Sequence, residues 1–212
     1  MSKYLAPIHS WLFNKIQISE ALESRLTQAL NIAETPFVQS LYRQTGSLLP
    51  EAPLEDLIDQ GNIHGWLQNR IHMTESRLAA LITEQLKQDP AALGTLKSVW
   101  HAAGEALASG TEAPAGAKEA YQQLQDLILE GMPCDRVSQV TEATETSVTW
   151  LTTQCLHRQY FDAVGGDVAH YYTLREAFLN GYLAKLQPGA SFTVTESPAG
   201  SGAAYINQLT IQ

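Results

Sequence analysis

Residues 8–16 read IHSWLFNKI and residues 63–71 read IHGWLQNRI. Six of the nine positions are identical, Lys15 is answered by Arg70, and the two phrases lie 55 residues apart. His and Trp are scarce, six and four in 212 residues, so their matched return reads as a duplication rather than coincidence. Each copy continues through Ser19-Glu20 or Thr74-Glu75 into a second apolar-periodic stretch and then a proline. Thr35-Pro36 and Asp89-Pro90 have the form of a capping side chain followed by Pro at the first helical position, where the missing amide proton costs nothing. Each unit therefore reads as a helical pair, and such a unit buries its apolar face by stacking on its copy. The expected core is a pseudo-two-fold, four-helix bundle with copy one over about residues 8–46 and copy two over about 63–109.

Helical periodicity extends outward from this phrase. Ile8, Leu12 and Ile16 fall on one stripe with Trp11 at its edge, and Ile63, Leu67, Ile71 and Trp66 repeat the arrangement. Ser19 and Thr74 stand where a cap would, so each first helix is expected to bend or restart there before running to about Ala33 or Lys87. The segment from Ser47 to Gly61, with Pro50 and Pro53, connects the copies and leaves room for a short helix at Leu54 to Asp59. SGTEAPAGA, residues 109–117, is the best linker in the chain. Beyond it a helix is expected from about Lys118 to Glu130, stopped by Gly131 and Pro133. A long helix follows from about Arg136 to Ala163, then the Gly165-Gly166 break, then a helix capped by Asp167 that reaches about Leu186. After Pro188-Gly189 the period changes to two, and Phe192, Val194 and Tyr205 to Ile211 read as a small C-terminal β-hairpin. The fold class is thus mainly α, a single domain whose third part, residues 117–212, holds the C-terminal helices and the hairpin.

Composition narrows the function. A net charge of −9 repels phosphate backbones and anionic lipid, which argues against nucleic acid or membrane as partner. No run of eighteen apolar residues and no secretory leader is present, so a cytoplasmic location is expected. Cys134 and Cys155 form neither a disulfide framework nor a CxxC pair. P-loop, GxGxxG, GxSxG and HExxH patterns are absent, and no Glu-x-x-His pair marks a dinuclear iron centre.

Two constellations could carry chemistry. The repeated His9 and His64 would approach one another across a local two-fold, where they could hold a metal ion or haem; the alternative is that they satisfy backbone groups at helix ends. CLHRQYFDAVGGDVAHYYTLREAF, residues 155–178, is the densest run of hydrogen-bonding side chains. The amides after Gly166, with Asp167 competing for them, suit an anionic group. Tyr171 and Arg175 lie one turn apart and project together. Cys155 and His157 would point about 160° apart on a helix, which rules out a local nucleophile pair.

The leading expectation is therefore a small-molecule binding protein, with an enzyme of unidentified reaction as its catalytic form. Its anionic ligand would be held by Gly166, Asp167 and Arg175 and oriented by Tyr171, with His157 or His170 as the titrating group. No cofactor follows from the sequence. Metal or haem binding through His9 and His64 is one alternative. A non-catalytic interaction protein, including a homodimer paired through the hairpin edge, is the other.

Overall fold

A computed structural model describes residues 5–212, and the described chain is mainly helical with one antiparallel sheet. Helix α1 spans Pro7–Ala29, α2 Pro36–Thr45, α3 Leu54–Leu57, α4 Ile63–Gln88, α5 Ala92–Leu107 and α6 Ala117–Leu127. After a 3-10 turn at Pro133–Asp135 come strands β1 (Ser138–Ala143) and β2 (Ser147–Thr152). Helices α7 (Arg158–Ala163) and α8 (Ala169–Leu186) then precede β3 (Ser191–Glu196) and β4 (Tyr205–Thr210).

Each repeated phrase opens a long helix. Leu12, Ile16, Leu67 and Ile71 are all buried and meet in one apolar cluster with Phe13, Leu54 and Leu129. Ser19 and Thr74 are buried inside unbroken helices and cap nothing, because both helices run straight on as part of the core. Thr35 does cap α2, its hydroxyl accepting from the Val38 amide at 3.4 Å, with Pro36 at the first helical position. The closest helix pair is α5 with α8, and two glycines make it possible. A Cβ on Gly104 would stand 2.0 Å from the Phe178 carbonyl oxygen, and one on Gly181 2.0 Å from that of His101. Backbone touches backbone there, which no larger residue permits.

The segment from Arg136 to Ala163 is not the single long helix its apolar content suggests. It forms β1, β2 and the short α7. Alternation at Val148, Trp150 and Thr152, all buried, and the wealth of Val and Thr favour a half-buried strand over a helix. The last two strands do pair antiparallel, yet not as an isolated hairpin: the sheet order is β1-β2-β4-β3, so β4 is internal. Val148, Trp150, Phe192, Tyr205 and Leu209 face the helices, where Trp150 meets Tyr121 of α6 edge-on with ring centroids 5.0 Å apart. This sheet closes the far side of a continuous core built mainly on α4, α5 and α8.

Candidate functional site

The connection from β2 to α7 carries His157 into the interior against α4 and α8. Its ring is 1% exposed. Nδ1 lies 2.8 Å from Glu75 Oε2 of α4, and Nε2 lies 3.9 Å from Glu130 Oε1, which follows α6. The Tyr171 ring covers one face, with centroids 4.0 Å apart. Glu130 in turn pairs with Arg175 of α8. Arg175 also donates from Nη2 to Asn207 Oδ1 of β4 at 2.9 Å and lies over the Tyr172 ring at 4.6 Å. Asn207 is fixed by donating to Thr152 Oγ1 at 3.0 Å. Five elements thus converge on two carboxylates and two cations whose charges cancel.

The electrostatics follow from that balance. Burial works against a charged imidazole, but the carboxylates of Glu75 and Glu130 outweigh it and raise His157 to about 10. Burial likewise opposes the Glu130 charge, yet Arg175 and His157 hold its carboxyl down to about 2. Burial, reinforced by Glu75, lifts the Tyr171 hydroxyl well above its ordinary range. At neutral pH His157 is therefore an imidazolium, a donor of hydrogen bonds and protons rather than a base. His157 Nε2, Glu130 Oε2 and Arg175 Nε are buried without hydrogen-bond partners. Outside the ring, a cleft of about 210 Å³ opens between α4 and α7, with Glu75 and His157 on its wall beside Gln68, Asp135, Gln159 and Tyr160.

The residues singled out from the sequence separate into three places. His157, Tyr171 and Arg175 come together in the charged cluster. Gly166, Asp167 and His170 take no part in its hydrogen bonds. The Gly166 amide donates to the Phe161 carbonyl at 2.9 Å, and Asp167 Oδ1 accepts from the Ala169 amide at 2.9 Å, so these groups find partners within the chain. His170 is half-buried in the first turn of α8. Cys155 accepts from the Tyr172 hydroxyl at 3.3 Å, and neither His157 nor His170 is hydrogen-bonded to its sulfur. His9 and His64 do meet, with Nε2 atoms 3.2 Å apart at the outer end of the α1 and α4 pair. The Ala6 amide donates to His9 Nδ1 at 3.2 Å, which places the neutral ring's proton on Nε2 and makes it the donor to His64. Among the described residues no three His, Cys, Asp or Glu side chains are grouped to hold a metal ion.

Glu75, Glu130 and Asn207 are the site residues that sequence reasoning passes over. The doubled Ser-Glu and Thr-Glu dipeptide is the signal available for Glu75, because Glu20 at the matching position is also buried against cationic side chains. Glu20 takes Arg70 at 2.6 Å and Arg77 at 2.8 Å, while Arg77 grips Glu23 at 2.9 Å. Comparison with protein-family models, curated proteins and solved structures finds no match to any of them. Among the described residues no helix is long and apolar enough to cross a membrane.

Proposed function

We propose that the chain binds a small polar molecule in the cleft between α4 and α7, against the Glu75 and His157 pair. The observation that carries this reading is a fully buried imidazole, ion-paired with Glu75 at 2.8 Å, on the wall of a 210 Å³ cleft. Protein interiors hold such charges only where partners compensate them, and here the compensated pair forms part of a cleft wall. The cleft is rich in acceptors: the Glu75 and Asp135 carboxylates and the Gln68 and Gln159 amides. A ligand bearing hydroxyl or amino donors fits them best. Arg175 is engaged by Glu130 and Asn207 and offers nothing to an anion, and so the favoured ligand is neutral or cationic. If a reaction accompanies binding, the His157 proton is the acid it would use.

The test is calorimetric titration of neutral polyols and small amines into the native protein and into a Gln68→Ala/Gln159→Ala variant. Both glutamines are exposed, so folding should be unaffected while affinity falls at least tenfold. Equal binding by both proteins would remove the cleft as the site.

The same proposal takes α1 and α4 as copies of one ancestral helix. Support comes from like residues meeting or sharing surroundings: His9 with His64, Leu12 and Ile16 with Leu67 and Ile71, and Glu20 and Glu75 each on a buried cation. A second reading keeps His9 and His64 as a surface metal site. Two imidazoles bound to one ion at about 2.0–2.1 Å have nitrogens a little over 3 Å apart, close to the 3.2 Å here. Binding would require the His9 proton to move to Nδ1 at the expense of the Ala6 hydrogen bond, a cost of about 1 kcal/mol. Equilibrium dialysis against Zn²⁺ should then give one ion per chain in the native protein and none in His64→Ala.

A further inference from the structure

On the other side of Gly131 lies a second cleft, of about 130 Å³, between the start of α1 and the segment 130–138. Lys15 lines it and is 4% exposed. Its amine makes no ion pair and no hydrogen bond among the described residues; it sits instead 3.3 Å from the centroid of the Trp11 ring, which is held by Asp126 across 2.7 Å. The matching residue of the repeated phrase, Arg70, is ion-paired with Glu20 at 2.6 Å. The two copies therefore differ at this position: the carboxylate that would answer Lys15, Glu75, is taken by His157. Two further polar atoms of the cleft wall, Glu130 Oε2 and Gln125 Nε2, are buried without partners. Arg136 stands at the mouth, exposed, free of ion pairs among the described residues, and in the left-handed backbone region at φ 49°. A non-glycine residue there is strained, a state retained most often at functional positions.

We propose that the Lys15 amine captures short 2-oxo acids as a Schiff base in this cleft, with the Arg136 guanidinium holding the acid's carboxylate. The cavity admits only a few heavy atoms. The neutral amine attacks the carbonyl carbon, a C–N bond forms, and the carbonyl oxygen leaves as water with the two nitrogen protons. Burial lowers the amine to about 8, with Asp126 and Glu130 opposing the shift. Relative to an ordinary lysine, more of the amine is therefore free at pH 7.

The experiment uses the native protein with pyruvate and cyanoborohydride at pH 7, followed by proteolysis and mass spectrometry. Lys15 should carry at least ten times the adduct found on the exposed Lys87, Lys97, Lys118 and Lys185, and Lys15→Arg should lose it. Labelling of Lys15 at or below the level of those four would overturn the assignment. Arg136→Ala should require about tenfold more pyruvate for half-maximal trapping while formaldehyde trapping at Lys15 stays unchanged. If pyruvate trapping is indifferent to Arg136, the carboxylate clamp is refuted.

Discussion

His157 donates its Nδ1 proton to Glu75 Oε2 across 2.8 Å, joining the β2 to α7 connection to the middle of α4. Neither residue has an alternative partner of comparable geometry, and water reaches neither freely. The pair, with Glu130 and Arg175 behind it, therefore couples protonation to the stability of the whole fold.

The pH dependence has a definite window. Glu130, at about 2, lies below its ordinary 4.5, so its contribution is complete above 4.5 and is lost as pH falls from there toward 2. His157, at about 10, lies above its ordinary 6.5, so its contribution is complete below 6.5 and is lost as pH rises toward 10. Urea midpoints should be highest between those two ordinary values and decline on both sides. His157→Gln should flatten the alkaline decline, and an unchanged alkaline limb in that variant would contradict the linkage.

Arg175→Ala should cost about 3–5 kcal/mol, because it leaves the Glu130 carboxylate buried and uncompensated and strips Asn207 of its donor. Chemical denaturation measures it. A loss below about 1 kcal/mol would mean that water replaces the guanidinium at little cost.

Glu23 and Arg77 are fully buried and bind each other at 2.9 Å, and Arg77 also donates to the Gly46 carbonyl at 3.0 Å. Arg77→Met alone should destabilise by about 3–5 kcal/mol, whereas combining it with Glu23→Leu should recover much of the loss. The double-mutant cycle reads the coupling directly. Additive losses would show that the pair is not energetically coupled.

Two glycines of α5 should respond oppositely to alanine. At Gly104 the new Cβ collides with the Phe178 backbone at 2.0 Å, so Gly104→Ala should lose about 1–3 kcal/mol. Gly94 has nothing within 4 Å, so Gly94→Ala should gain up to about 1 kcal/mol from helix propensity. Thermal melts of the two variants should move apart.

The helices that carry the repeated phrase, the Thr35 cap and α8 are legible in the sequence because their signals are local. The stretch Arg136 to Ala163 is not, since its aromatic and aliphatic residues suit either period and the β-branched content has to be given more weight than the apolar run. Among the site residues, Tyr171 and Arg175 are visible through their one-turn spacing. Glu75 and Glu130 look like solvent-facing carboxylates until α7 and α8, distant in sequence, are folded over them. The amides after Gly166 illustrate the reverse case: a helix start that reads in sequence as open to an anion is closed by Asp167 and by the Phe161 carbonyl.

The interleaving of β4 between β2 and β3 imposes an order on biosynthesis. A ribosome delivers β4 after the other three strands, so until it docks the β1 and β2 hairpin presents an unsatisfied ladder along β2. Asn207 arrives with it, so the guanidinium of Arg175 waits for its amide until this strand docks. Helices assembled early thus hold a charged interior that is neutral in sum but sealed only by the arrival of one late segment. That makes the nascent chain's most vulnerable interval the one just before Tyr205 to Thr210 emerge.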